Sequence, residues 1–552
     1  MFKRFLTVTS LLLFAAVAIA QHKHELDQKV DMSRAPLLKG VGDIKHPVST
    51  KNAMAQKFFN QGIALIYAFN HLEAERAFVQ AQQLDPKLAM AWWGQALALA
   101  PNINDPITPD RAEKAYAAIQ TAVKKINKST PRVERDYIMT LSRRYSADKN
   151  ADRTQLDLNY AKEMGALAKK YPNDPDMQTL YASAVMETMP WDYYQPNGDP
   201  KPEILTVQKT LEATMKRWPN HTGANHLYIH AVEASSTPGR GTVSADKLGA
   251  LAPSAGHLVH MPSHIYLRTG RWNDAVLVNR KAALADEDYI SQCRAQGIYP
   301  VAYYPHNLHM GAFAAGMEGG STEAIALANK MNDKVPAEIE EQIPFWGNIV
   351  TSMPVLAMVR FGKWDDILKY PEPSSKLIVS GAIWHYGRGL ALIRTGKADS
   401  ADEDLAAIQK IAADPALKEA RIGNNDGEKA VAIAENGLAG ELAASRKDYE
   451  RAIDFLRKSV AVQDSLHYNE PEDWYIPMRH SLGAVLLEAG RPADAESVYR
   501  EDLKHHPKNG WSLFGLSKAL RAQNKNDEAE KAEAQFATAW MNADVKIAAS
   551  SY

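Results

Sequence analysis

The sequence predicts an all-α protein, an α-solenoid of helical hairpins with irregular loop insertions. Its 552 residues are too many for one ordinary hydrophobic core, so several domains or a repeat array are expected. Two distant stretches, 55–88 and 476–509, set small, aromatic and proline residues at matching offsets. Hydrophobic residues make up 45% of the chain, the share of a folded soluble protein rather than of a disordered or membrane-embedded one.

The first element in chain order is a leader. "MFKRFLTVTSLLLFAAVAIAQ" opens with Lys3 and Arg4, continues through an apolar stretch from Phe5 to Ile19, and carries the small-residue site Ala18-Ile19-Ala20. That is the pattern of a secretory signal peptide over 1–20, cut before Gln21, and it predicts an exported protein, periplasmic or secreted. A membrane anchor fits less well, because Thr7, Thr9 and Ser10 interrupt a stretch already short of a full span. No later segment reads as a transmembrane helix. Residues 21–50, with His22 and His24, read as a flexible lead-in.

The repeats follow. In 55–88, "AQKFFNQGIALIYAFNHLEAERAFVQAQQLDPKL", Phe58, Gly62, Ala74, Phe78, Ala81 and Pro86 stand at positions 4, 8, 20, 24, 27 and 32. In 476–509, Gly483, Ala495, Tyr499 and Pro507 take positions 8, 20, 24 and 32 again, with Leu482 and Leu486 at 7 and 11. Looser matches pair Gly389 with Ala401, Gly440 with Ala452 and Trp511 with Gly515. Small residues let the two helices of a hairpin approach closely, and stacked hairpins bury a core that none has alone. This pattern resembles the tetratricopeptide repeat, a 34-residue helix–turn–helix unit. The resemblance implies a right-handed α-solenoid over 51–552. Inserts at 190–202 ("PWDYYQPNGDPKP") and 290–305 ("ISQCRAQGIYPVAYYP") read as ordered caps, because they are rich in proline and aromatic residues.

Longer strings narrow the resemblance. "FNHLEAERAFVQAQQLDPKLAMAWWGQALALAPNIN", "HLVHMPSHIYLRTGRWNDA" and "YNEPEDWYIPMRHSLGAVLLEAGR" resemble a bacterial family of secreted or periplasmic tetratricopeptide-repeat proteins. That family has no settled biochemical activity, so the resemblance implies a fold and a compartment but no reaction.

The register locates the histidines. Ala275 at position 20 makes Gly256 position 1, so His257, His260 and His264 fall at 2, 5 and 9. Thr222 opens the preceding unit, which puts His226 and His230 at 5 and 9; Ala324 in the following unit puts His306 and His309 at 2 and 5. Seven of the nine such places across 222–325 are thus histidine in a chain with 17 histidines, where chance supplies fewer than about one. On a helix these positions lie within about 60° of one another, off the packing face. In the family that the repeat resembles, they line the concave groove.

Converging neutral imidazoles are a common ligand set for zinc, copper or iron. His226 with His230, and His260 with His264, have the i, i+4 spacing that lets two rings on one helical face reach one ion. The single cysteine, Cys293, leaves metal binding to histidines and carboxylates. Glu187, at groove position 13, is the preferred carboxylate as ligand or general base; Glu233 and Asp192 are at hand as well. Tyr228 and Tyr266 read as packing residues. His71, His385, His480, His505 and His506 read as structural or surface residues.

The sequence therefore predicts an exported protein with a histidine metal centre in the groove, a centre suited to a metal-dependent hydrolase or oxidase. The alternative is a non-catalytic scaffold that binds an exported protein or peptide in its groove, and a hydrogen-bonded structural cluster is a third reading of the histidines. A net charge of −1 gives no footprint for nucleic acid or an anionic membrane. The chain has no nucleophile elbow, phosphate-binding glycine loop, dinucleotide fingerprint or haem-attachment motif.

Overall fold

The structure is a computed structural model that describes residues 35–195, 198–293 and 298–551. The expected signal peptide, His22 and His24 lie outside the described residues. Two compact units are present, one within Met1–Ile265 and Lys281–Pro300, the other within Tyr266–Arg280 and Val301–Tyr552. Both are all-α; among the described residues the only named strands are the two-residue pair Arg421–Ile422 and Asn425–Asp426.

In the first unit, antiparallel hairpins follow one another: Ala53–Tyr67 with His71–Leu84, Ala89–Ala98 with Pro109–Lys125, and Pro175–Met186 with Pro202–Arg217. Thr222–Val232 then packs on Thr242–Leu251, and Gly256–His260 follows. In the second, Tyr304–Glu318 pairs with Ser321–Lys334, and the series closes with Met478–Glu488 on Pro492–His505 and Gly510–Ala522 on Asn526–Ala539. The helix starts at Thr222 and Gly256 fall where the repeat register set position 1.

The close approach read from sequence has a common geometry at both ends of the chain. The Phe78 ring sits between Gly62 and Gly94, where an added Cβ would lie 2.5 and 2.3 Å from ring carbons. Tyr499 sits likewise between Gly483 and Gly515, at 2.3 and 2.2 Å. Any larger residue there would push the helices apart, and the aromatic ring fills the space that the glycines leave.

The hairpin turns share a second device. The first helix ends on a residue with positive φ: Gly396, Gly490 and Lys447 at 80°, 73° and 63°. The next backbone N–H reaches back to a helical carbonyl, as in Lys397 to Leu392 at 2.8 Å and Arg491 to Leu486 at 2.8 Å. This is the Schellman closure, and glycine fits it best because it has no Cβ to clash. In the first hairpin the same place holds Phe69, at φ 54°, with Asn70 N–H bonded to the Leu65 carbonyl at 2.9 Å. A bulky residue in that conformation is strained.

Candidate metal centre

Five of the seven predicted ligands meet inside the first unit. His226 and His230 stand one turn apart on Thr222–Val232, with ring centroids 4.9 Å apart. His221 caps the start of that helix, its Nδ1 accepting the Ala224 N–H at 3.1 Å. His257 and His260 lie on Gly256–His260, and His264 on Pro262–Thr269. The break between those two helices follows from Pro262, which brings no N–H to the helical ladder. All five histidines are buried. The sequence placed them along a groove; their burial makes the site an interior one.

Glu233, just past the end of Thr222–Val232, organises the cluster. It is 0% exposed, and its Oε1 accepts from His230 Nδ1 at 2.8 Å while its Oε2 accepts from His264 Nδ1. A carboxylate is an acceptor, so the facing ring nitrogens carry the protons and each Nε2 of a neutral ring keeps a lone pair. His226 is set the same way, its Nδ1 donating to the Tyr67 carbonyl at 2.7 Å.

Tyr67 is itself held firmly. Its hydroxyl donates to Asp176 Oδ1 at 2.6 Å, and Asp176 also accepts from His46 Nδ1 at 2.7 Å and His221 Nε2 at 3.0 Å. An added Cβ on Gly223 would lie 2.4 Å from the Tyr67 ring, so only glycine admits that ring against Thr222–Val232. Against the burial penalty, His221 and His46 hold the Asp176 carboxyl far below its ordinary pKa, which keeps it ionised.

The Nε2 atoms then face one another. His226 and His257 approach to 3.1 Å, and so do His260 and His264. Donor atoms of His226, His230 and His257 lie within 4.8 Å of one another, as do those of His230, Glu233 and His264. Burial, followed by the neighbouring His230, lowers His226 well below its ordinary pKa; burial followed by His226 and His260 does the same to His257. Both rings are neutral, the protonation state a metal requires of an imidazole.

Two aromatic residues cover the rings. Phe69 lies 4.6 Å from His226, 5.2 Å from His257 and 5.9 Å from His230, measured between centroids. Trp191, from the 190–202 insert, meets His230 edge-on at 5.5 Å. Both have positive φ, 54° and 62°, and they are the only aromatic residues among the described ones that do. Strain of this kind persists where surrounding packing holds it in place. Sequence reasoning missed Phe69, although a bulky residue at a place that other hairpins give to glycine was a visible signal.

The remaining candidates take other places. His306 and His309 lie on Tyr304–Glu318 of the second unit, His306 half-buried and His309 buried, where burial takes it down to about 3. Glu187 accepts from Arg144 Nη2 at 2.5 Å and from Ser183 Oγ at 2.6 Å. Glu187 and His226 line one narrow cleft of about 20 Å³, with Phe69, His71, Asn102 and Arg144 also in its wall. Asp192 pairs with Lys201 at 2.5 Å and is 70% exposed. Tyr228 and Tyr266 are buried, in keeping with packing roles.

The tetratricopeptide-repeat family model matches residues 486–534. No curated protein matches the sequence. Among solved structures, the chain is similar to yeast Tom70, at 10% identity and a TM-score of 0.29, covering 86% of this chain and 89% of that one. It is also similar to a human IFIT1 dimer with m7Gppp-AAAA, at 11% identity and a TM-score of 0.31, covering 89% and 91%. A third is the APC/C hetero-tetramer Cut9-Hcn1, at 11% identity and a TM-score of 0.29, covering 90% and 76%. At such low scores the assignment rests on the helical hairpins and the matched repeat. Residues 486–534 thus match a tetratricopeptide repeat within a chain of helical hairpins.

Proposed function

We propose that this chain is an exported metalloprotein whose first unit binds a transition-metal ion through His226, His230 and His257. The observation that carries the reading is Glu233, a fully buried carboxylate that takes a ring N–H from two histidines on different helices. Carboxylates in this role orient metal-bound imidazoles and raise their basicity. The nitrogen-rich set suits zinc or copper, with iron as a further candidate. When bound, such an ion supplies Lewis acidity or a redox couple, the chemistry of a metal-dependent hydrolase or oxidase.

The protein's own part is to hold and to shield. Tyr67 and Glu233 fix the ring orientations, while Phe69 and Trp191 cover the rings. The cleft shared by His226 and Glu187 is the route of approach in this reading. Glu187 is its acid–base candidate: burial raises its pKa against the pull of Arg144, which favours holding a proton there. Export rests on the sequence of residues 1–20 and on the resemblance to secreted or periplasmic repeat proteins.

The second reading is a scaffold for an exported protein or peptide, and the repeat matched at 486–534 favours it, since such repeats commonly serve protein binding. Metal analysis of protein purified without a histidine tag decides between them. Stoichiometric zinc, copper or iron that disappears on changing His226, His260 and His264 to Ala is the expected result. Metal-free protein that resists reconstitution would remove the metalloprotein reading and leave the scaffold.

A further inference from the structure

We propose that the first unit holds two metal ions, the first on His226, His230 and His257 and the second on His260 and His264, with Glu233 behind both. The proposal rests on the metalloprotein reading above and deepens it.

Separation is the first argument. Two nitrogens about 2.0–2.1 Å from a single ion at near-tetrahedral angles stand roughly 3.0–3.4 Å apart. Two Nε2 pairs have that separation: His226 with His257 at 3.1 Å, and His260 with His264 at 3.1 Å. A single four-coordinate ion uses at most four of these five rings, and the tight donor group around His226, His230 and His257 includes neither His260 nor His264. The second pair is spaced like the first and is left over by it.

The carboxylate is the second argument. Glu233 gives one oxygen to His230, from the first set, and the other to His264, from the second. One buried anion thereby stiffens a ligand of each ion and lowers the electrostatic cost of placing two cations side by side in a dry interior. Chain geometry is the third. The break at Pro262 separates the helix carrying His257 and His260 from the one carrying His264, so the two rings of the second pair come from different helices despite their i, i+4 spacing.

Beside its imidazoles, each ion would keep coordination positions for water or for an oxygen ligand of the substrate. Two such ions would supply Lewis acidity, and the substrate class that fits is one presenting an anionic oxygen, such as an ester or phosphoester passing through a charged transition state.

Cobalt(II) or zinc titration of the metal-free, untagged full chain tests this, with bound metal measured by elemental analysis after removal of excess. Two ions per chain are expected, and the variant H260Q/H264Q is expected to keep one. One ion in wild type and in H260Q/H264Q alike overturns the second site while leaving the metalloprotein reading intact. No bound metal in wild type overturns both. Should H260Q/H264Q fail to fold, the cobalt absorption titration of wild type decides by itself: a break at two equivalents supports the proposal, and a break at one overturns it.

Discussion

The second unit also buries histidines among carboxylates, around His480, Asp502, His506 and Glu472. There Arg360 donates to His480 Nδ1 at 2.8 Å, and His480 Nε2 donates to Asp502 at 2.9 Å. Asp502 further accepts from Asn509 at 3.0 Å, Ser512 at 2.6 Å and His506 Nδ1 at 3.1 Å, while His506 Nε2 meets Glu472 at 2.9 Å. Against the burial penalty, Glu472 and Asp502 push His506 up to about 10, so it is a cation held between two anions. In the first unit the balance is reversed: Glu233 serves two rings, Nε2 faces Nε2, and His226 and His257 are driven neutral. A network that contains its own cation is closed and structural. One that sets neutral imidazoles ring to ring offers nitrogen ligands to a cation from outside.

The largest expected effect tests the closed network. Asp502→Ala removes the acceptor shared by two histidines, Asn509 and Ser512, and leaves His506 with one of its two carboxylate partners; breaking such a buried pair costs about 3–5 kcal/mol. Denaturant unfolding should record that loss with the metal content unchanged. If the variant lost its metal instead, the division between a structural and a binding cluster would fail.

Glu233→Gln probes the open cluster. Replacing the backing carboxylate is expected to weaken metal binding about 10–100-fold, read by competition against a chromophoric chelator. Unaltered affinity would mean that the histidines need no orienting anion, and the contrast with Asp502 would lose its basis.

Gly256→Ala sharpens the comparison by disturbing position without removing a ligand. The new Cβ would fall 1.8 Å from Asp286 Oδ1, and Asp286 is 0% exposed and accepts the Tyr299 hydroxyl at 2.8 Å. Overpacking of this sort costs about 1–3 kcal/mol. Because Gly256 opens the helix that carries His257, metal affinity should fall together with stability in a thermal and chelator assay. Stability lost with affinity intact would show that the ring positions tolerate helix movement.

The smallest effect is a pH dependence of the second unit. His506 has an ordinary pKa of 6.5 and a folded value of about 10, so its stabilisation is fully present below about 6.5 and is lost as pH rises through about 10. The unfolding midpoint should decline across that window, and His506→Gln should flatten the decline. A midpoint independent of pH between 7 and 10 would mean that His506 is not the resident cation.

Sequence alone determined the repeat and its register. Gly62 with Phe78 and Gly483 with Tyr499 are local spacings that a 34-residue period makes visible, because each hairpin packs mainly on its neighbours. The same register put His226, His230, His257, His260 and His264 on matching helix faces. Which carboxylate they meet was a different matter: a periodic pattern orders side chains around an axis but does not say how two helices cross. Glu187 and Glu233 both fell near the histidines in register, and only packing gave Glu187 to Arg144 and Ser183 and Glu233 to His230 and His264. The tertiary structure also decided that the site is interior and that Phe69 and Trp191 close over it, because burial and backbone strain arise from contacts between segments far apart in the chain.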